Sequence, residues 1–253
     1  MAYIKANKNL GQHFLIDKGV VLDTMALLEK NWNGEQIYEI GPGTGALTSE
    51  LVPKFLSHLT CIEFDHRCVQ SIKQQYPGLQ DKIIEADFLQ LSGRSLFHEP
   101  SIVIGNFPYN ISSQIIFKIL DNYEHIPVAI GMFQKEVAER LAAKHGNKVY
   151  GVITVFAQLL YDIEIAFHIT PDKFDPPPKV MSSVIILKRK STIPDINMEK
   201  LRKVVKAGFS MRRKKLRNAL AGVFDPQILD EPFFQQRAEE LSIDDFIRLS
   251  ERL

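Results

Sequence analysis

The sequence predicts an α/β protein: a largely parallel sheet with helices on both faces, followed by a small all-helical domain. Three observations predict it. From residue 36 to residue 143 short apolar runs alternate with helical patterns, the rhythm of parallel strands joined by crossover helices. A glycine-rich loop closes the first of these strands, where an open α/β sheet builds its ligand crevice. Beyond Lys190 the strand signals stop and only helical patterns remain.

The elements follow in order. Val20, Val21, Met25 and Leu28 mark a helix over 17–31 with Asp17 as its cap. Strands are expected at 36–40, 57–63, 82–86, 101–105 and 126–133. Helices are expected at 44–53, 66–76, 112–120 with Ser112 as N-cap, and from 134 through 143. Two further strands near 162–169 and 182–189 flank a proline-rich loop and suit an antiparallel hairpin at the sheet edge. Helical patterns at 196–208, 211–223 and 234–252 are separated by Pro194, Pro226 and Pro232. The expected division is 1–190 for the sheet domain and 191–253 for the helical domain.

Composition narrows the class. The chain has 253 residues, 45% hydrophobic and 24% charged, enough for a core that needs no disulfide or metal staple. Cys61 and Cys68 are its two cysteines, and its seven histidines are scattered without metal-ligand spacing, so no metal site is expected. The longest apolar stretch, Tyr150 to Tyr161, is too short to span a bilayer. The N-terminus lacks the apolar run of a secretory signal, so a cytoplasmic protein is expected. Formal net charge is only +1, yet Lys188 to Arg217 holds 12 Lys/Arg against Asp195 and Glu199. Charge is therefore asymmetric, with a basic segment near the C-terminal end.

Two segments carry chemistry. Glu39-Ile40-Gly41-Pro42-Gly43-Thr44-Gly45 follows a predicted strand. Glu63 lies 22 residues after Gly41, at the end of the next strand, where a carboxylate can accept from both hydroxyls of a ribose. Asp87 ends the third strand and can reach an adenine edge. The spacing is not that of a dinucleotide fingerprint, and Pro42 removes an N–H that a pyrophosphate would use. A ligand with adenosine and no phosphate fits better, namely S-adenosylmethionine. The second segment, Asn106-Phe107-Pro108-Tyr109, follows the fourth strand. The Asn106 side-chain carbonyl and the Pro108 main-chain carbonyl can accept hydrogens from an exocyclic amine, and Tyr109 can stack on a flipped base. That pattern points to amine methylation.

The stretches LGQHFL (10–15), EIGPGTGALT (39–48), IEFD (62–65), ADF (86–88), GNFPYNISS (105–113), QKEVAERL (134–141), FDPPPKV (174–180) with Ser182-Ser183-Val184, and RRKKLRN (212–218) together resemble the KsgA family of small-subunit ribosomal RNA adenine dimethyltransferases. The match runs from end to end in family order. The resemblance implies a class I, Rossmann-like methyltransferase sheet with a small helical C-terminal domain. It implies methyl donation from S-adenosylmethionine to N6 of two adjacent adenosines in the loop of the 3′-terminal hairpin of 16S rRNA, within the small ribosomal subunit. By family motif, donor contacts fall on His13, Leu15, Gly41, Gly43, Glu63, Asp87 and Asn106. Target-base contacts fall on Asn106, Pro108, Tyr109 and Phe174. His13 stands where Asn is commoner, and Phe107 where Leu is usual.

Arg212, Arg213, Lys214, Lys215 and Arg217 are expected to crowd one helix and to contact RNA phosphates, because the run lacks the acids of an ordinary solvated face. Lys5 and Lys8 lie in an arm that the resemblance folds across the donor site. No membrane partner and a monomer are expected. Three other readings compete: an Erm-type methyltransferase of large-subunit rRNA, a methyltransferase-fold nucleic-acid-binding factor without catalysis, and a dinucleotide oxidoreductase. The RRKKLRN and PPPKV stretches oppose the first, and the intact Asn106–Tyr109 segment opposes the second. Nothing supplies a hydride-transfer acid or base for the third.

Overall fold

The computed structural model describes residues 4–253. The chain forms two compact units. One holds the described residues up to Ala138 together with Asp162–Arg189, and the other holds Glu139–Tyr161 and Lys190–Leu253.

The first unit is built on a sheet. Its strands and helices run β1 (Phe14–Leu15), α1 (Lys18–Asn31), β2 (Gln36–Ile40), α2 (Thr48–Phe55), β3 (Leu59–Glu63), α3 (His66–Gln75), β4 (Ile83–Glu85), α4 (Gly93–Leu96), β5 (Ser101–Asn106), α5 (Ser112–Asp121) and β6 (Val128–Gln134). The strand order is β4-β3-β2-β5-β6-β9-β7, with β7 at Tyr161–Ile169 and β9 at Ser182–Arg189. Strands β4 to β6 are mutually parallel, and β9 is antiparallel to β6. A second, two-stranded sheet pairs β1 with β8 (Phe174–Asp175) in antiparallel register.

The local causes are plain. Asp17 caps α1 by accepting from the Val20 N–H at 3.0 Å, and Val21, Met25 and Leu28 turn one face inward. Strands β5 and β6 are buried along almost their whole length, as parallel strands covered on both faces must be. Ile37, Ile102, Ile104 and Ile130 of the sheet share one core with Leu51 and Phe55 of α2 and Val69 and Ile72 of α3. Each such side chain contributes about 1.5–3 kcal/mol on burial.

The expected helix at 44–53 starts later, at Thr48. Gly41, Gly43 and Gly45 all have positive φ (67°, 56° and 91°), so the chain turns through this loop before it can wind. Ser112 is not the cap of α5; its hydroxyl donates to Tyr109 O at 3.1 Å and closes the preceding turn.

The second unit is helical: the end of α6 (Lys135–Leu141), then α7 (Val152–Leu160), α8 (Met198–Ser210), α9 (Leu216–Ala219), α10 (Pro226–Leu229) and α11 (Ile243–Glu251). Residues 139–161, expected with the sheet, cluster with these helices. The reason is α7, which buries Ile153, Val155, Phe156, Leu159 and Leu160 and packs on α8 and α11. The expected helices at 211–223 and 234–252 are also corrected. The first is a turn followed by the four-residue α9, and the second holds a helix from Ile243 onward, where α11 follows two 3-10 turns. Pro226 and Pro232 each start a new turn.

The basic residues therefore do not share one helix. Residues 211–214 form a turn, with Lys214 N–H donating to Met211 O at 2.7 Å, and Lys215 is the N-cap of α9. In one continuous helix Arg212 and Lys215, Lys214 and Arg217, and Arg213 and Arg217 would be like-charged neighbours three or four positions apart.

Candidate active site

Four neighbouring strand ends converge on one cleft. The loop after β2 brings Gly41 and Gly43, the end of β3 brings Glu63, the chain after β4 brings Asp87, and the end of β5 brings Asn106, Pro108 and Tyr109. The N-terminal segment adds His13 and Leu15. The cleft encloses about 1050 Å³ of empty space, its open mouth included. It sits at the carboxyl ends of the strands, where open α/β sheets bind ligands.

Glu63 is 6% exposed, and each of its oxygens already accepts one backbone N–H. Gly43 donates to Oε2 at 3.0 Å and Asp65 to Oε1 at 2.8 Å. One lone-pair direction on each oxygen remains for a diol. Burial pushes the Glu63 carboxyl up, and those backbone donors pull it back. Phe64, 61% exposed, offers an apolar face beside it. Asp87 Oδ1 accepts from Leu89 N–H at 2.9 Å.

His13 ties three parts together. Its carbonyl accepts from Asn106 Nδ2 at 2.8 Å. Its Nδ1 lies 2.7 Å from Pro176 O, and a carbonyl only accepts, so Nδ1 carries the hydrogen. Its ring centroid is 5.2 Å from that of Tyr109. The same rule orients Asn106: with its amide nitrogen turned to His13 O, Oδ1 is its free acceptor. Tyr109 is held by a hydrogen bond between its hydroxyl and that of Ser182. Burial raises its phenol above the ordinary range. Pro108 O accepts from Ile111 N–H at 3.2 Å and keeps a second lone pair. Phe107 is buried against Phe133, ring centroids 5.1 Å apart.

Every expected donor or base residue lines this cleft except Phe174. Phe174 is 2% exposed and belongs to the sheet core. Its pairing with Leu15 across β1–β8 turns the ring inward, so this geometry does not present it to a base.

Sequence reasoning passed over three contributors. Glu39 is 1% exposed and accepts from Thr48 Oγ1 at 2.8 Å and Cys61 Sγ at 3.5 Å. Burial pushes its carboxyl up to about 7. Gln12 Nε2 donates to Asp65 Oδ2 at 3.0 Å, while Arg67 pairs with Asp65 at 2.6 Å and donates to Lys5 O at 3.1 Å. That network fastens the N-terminal arm to the loop after Glu63, and the Arg67 hydrogen bond holds Asp65 near 2. Ser182 is the third, and its place in the quoted Ser-Ser-Val stretch was its signal.

In the helical unit, Arg212 donates to Glu239 Oε2 at 3.1 Å, to Tyr150 O at 2.9 Å and to Lys148 O. Lys215 reaches Gln235 at 3.1 Å and Arg217 lies 3.6 Å from Asp230. Among the described residues the side chains of Arg213 and Lys214 have no such partner. Also among the described residues, no three His, Cys, Asp or Glu side chains gather as metal ligands, and no helix is long and apolar enough to cross a membrane.

The family model for ribosomal RNA adenine dimethylase matches residues 3–253. The chain belongs to that family. Curated relatives include a ribosomal RNA small subunit methyltransferase A of Cytophaga hutchinsonii, 45% identical and covering 100% of this chain and 99% of the relative. A namesake from Bacteroides thetaiotaomicron is 42% identical, covering 100% and 96%. Among solved structures, a dimethyladenosine transferase from Plasmodium falciparum superposes with TM-score 0.77 at 26% identity, covering 94% of this chain and 96% of that one. The 23S rRNA methyltransferase ErmE gives 0.69 at 25%, covering 95% and 99%.

The dimethylase cleft fits S-adenosylmethionine, the donor of the family. A Cβ placed on Gly41 would meet nothing within 4 Å, so the loop faces open space. The Glu63 lone pairs suit a ribose, Phe64 suits an adenine face, and Pro42 breaks the run of backbone N–H groups that a phosphate would need.

Proposed function

We propose that this dimethylase methylates N6 of two adjacent adenosines in the loop of the 3′-terminal hairpin of 16S rRNA, late in small-subunit assembly. It would act as a monomer in the cytoplasm. The names of the 45% and 42% identical relatives support the small subunit as target. The orientation of Asn106 is the observation that carries the chemistry.

Bound S-adenosylmethionine supplies an electrophilic methyl group. An adenine N6 is a poor nucleophile because its lone pair is delocalised into the ring. Asn106 Oδ1 and Pro108 O accept its two hydrogens, which favours the tetrahedral amine whose lone pair is localised. Tyr109 stacks on the base and holds it at that height. Each transfer costs N6 one hydrogen, lost as a proton to solvent, so after the first a single N–H remains, and either of the same carbonyls can accept it and orient the amine again. The product is dimethyladenosine.

RNA docking falls to the cations that the fold leaves free. Arg213 and Lys214 are two. Lys200, Lys203 and Lys206 occupy the exposed face of α8, opposite buried Leu201, Val204 and Val205. Such residues position a backbone without reading sequence.

The test is incubation with labelled S-adenosylmethionine and undermethylated small or large subunits, then mapping of the label. Dimethyladenosine in the small-subunit 3′ hairpin is expected. Label confined to large-subunit rRNA would overturn the reading in favour of the Erm-type activity, and monomethyladenosine after exhaustive reaction would overturn the two-carbonyl geometry.

A further inference from the structure

Asp87 and Leu89 enter the cleft from a loop, not from a strand. The Ala86 N–H still bonds to Glu63 O at 2.9 Å, and beyond it the chain leaves the sheet. Within the loop, Asp87 accepts from Leu89 N–H at 2.9 Å through its side chain and from Gln90 N–H at 3.0 Å through its carbonyl. Those bonds shape the turn but do not fix its place against the cleft.

Lys118 of α5 does that. Its Nζ donates to Leu91 O at 2.5 Å and to Phe88 O, and it stands 4.6 Å from the centroid of the buried Phe88 ring. An ammonium carries three divergent donors, so one side chain can bind two carbonyls and still face a ring. The far end of the loop is seated against the C-terminal cap of the same helix, Asn122: a Cβ on Gly93 would lie 1.9 Å from its Oδ1. At its other end α5 begins directly after the Asn106–Tyr109 segment, and Ser112 of its first turn bonds to Tyr109 O. One helix thus joins the chemistry-bearing segment to the Asp87 loop.

We infer that Lys118 is a positioning residue for the methyl donor, setting the Asp87 loop at the level of the donor's adenine edge by binding the carbonyls of Phe88 and Leu91. The inference rests on the reading of this cleft as the donor site with Asp87 at the adenine. Without the ammonium those two carbonyls lose their partner and the loop moves outward to hydrate them. Asp87 moves with it, while Glu63 and Asn106, on strand ends, do not.

The test is calorimetric binding of S-adenosylhomocysteine to wild-type protein, Lys118→Met and Lys118→Arg. A second ligand carries oxygen in place of the adenine amino group. Wild type should prefer the adenine form. Lys118→Met should bind it about tenfold more weakly and lose most of that preference, with Lys118→Arg within about threefold of wild type. On subunits, Lys118→Met should raise the donor KM and leave kcat within about twofold. Equal weakening of both ligands would mark Lys118 as a general structural brace and overturn the inference, as would unchanged affinity. If Lys118→Met fails to fold, the same comparison is read from Lys118→Gln. Failure of wild type to bind either ligand would instead overturn the donor reading itself.

Discussion

Glu63 accepts from two backbone N–H groups while facing the cleft, so its replacement tests geometry as well as charge. Glu63→Gln turns an amide NH₂ towards one of those donors and removes half of the ribose acceptor. Donor affinity should fall by about 1.5–3 kcal/mol, the scale of a charge-assisted hydrogen bond; calorimetry returning wild-type affinity in a folded variant would remove the ribose role. Glu39 gives a second test through pH. Its carboxyl stands at about 7 in the folded chain against an ordinary 4.5. Below about 4.5 both states are protonated and the contribution is fully present. As pH rises towards 7 the unfolded chain ionises first and stability is lost, by an amount on the order of 3 kcal/mol. Glu39→Gln keeps a carbonyl for Thr48 and Cys61 and should flatten that slope in urea titrations from pH 5 to 8. A variant with the wild-type slope would show that Glu39 is not its source. At this scale Gly41, Gly43, Glu63, Asp87, Asn106, Pro108 and Tyr109 were legible as cleft residues, because such residues at strand ends have few structural reasons to be there, whereas His13 and Leu15 came from the family resemblance alone. Phe174 was not, because its direction depends on which strand pairs with it.

At the scale of elements, the parallel strands were legible from continuous apolar runs, and Asp17 announced the start of α1. The turn after α8 was misread as helix. Its apolar spacing is compatible with either, and the difference lies in long-range partners that spacing does not contain. Arg212 shows this: its guanidinium bonds to Lys148 O, Tyr150 O and Glu239, which pins the turn in place. Among the described residues the side chains of Arg213 and Lys214 have no such partner. The five-residue basic cluster should therefore split in experiment. Arg212→Gln should lower the melting temperature and leave the salt dependence of subunit binding unchanged. Arg213→Gln with Lys214→Gln should leave melting unchanged and flatten the log–log salt slope, by about 0.7–0.9 per lost phosphate contact. Affinity for small subunits across several salt concentrations separates the two, and a reversed pattern would return Arg212 to the RNA surface.

For the whole molecule, the two units are interleaved along the chain. Residues 139–161 leave the sheet unit, and the chain returns at Asp162 before departing again at Lys190. Composition marked only the last crossing, because there the strand signals stop; α7 is as apolar as a sheet strand and betrays nothing of its partner. The consequence is energetic. Ile153, Val155, Phe156, Leu159 and Leu160 are all nearly solvent-free, and α7 packs on α8 and α11. A fragment ending at residue 189 keeps α7 and loses both partners. Side chains worth about 1.5–3 kcal/mol each on burial would then face water, against a total stability of about 5–15 kcal/mol for a typical domain. The fragment 1–189 should therefore bind a hydrophobic dye, self-associate and melt without a sharp transition, although it contains every residue of the donor cleft. The full chain should melt cooperatively. A monomeric 1–189 fragment with a sharp transition and wild-type affinity for S-adenosylhomocysteine would show that the sheet unit folds without the C-terminal helices, and that α7 needs no partner from them.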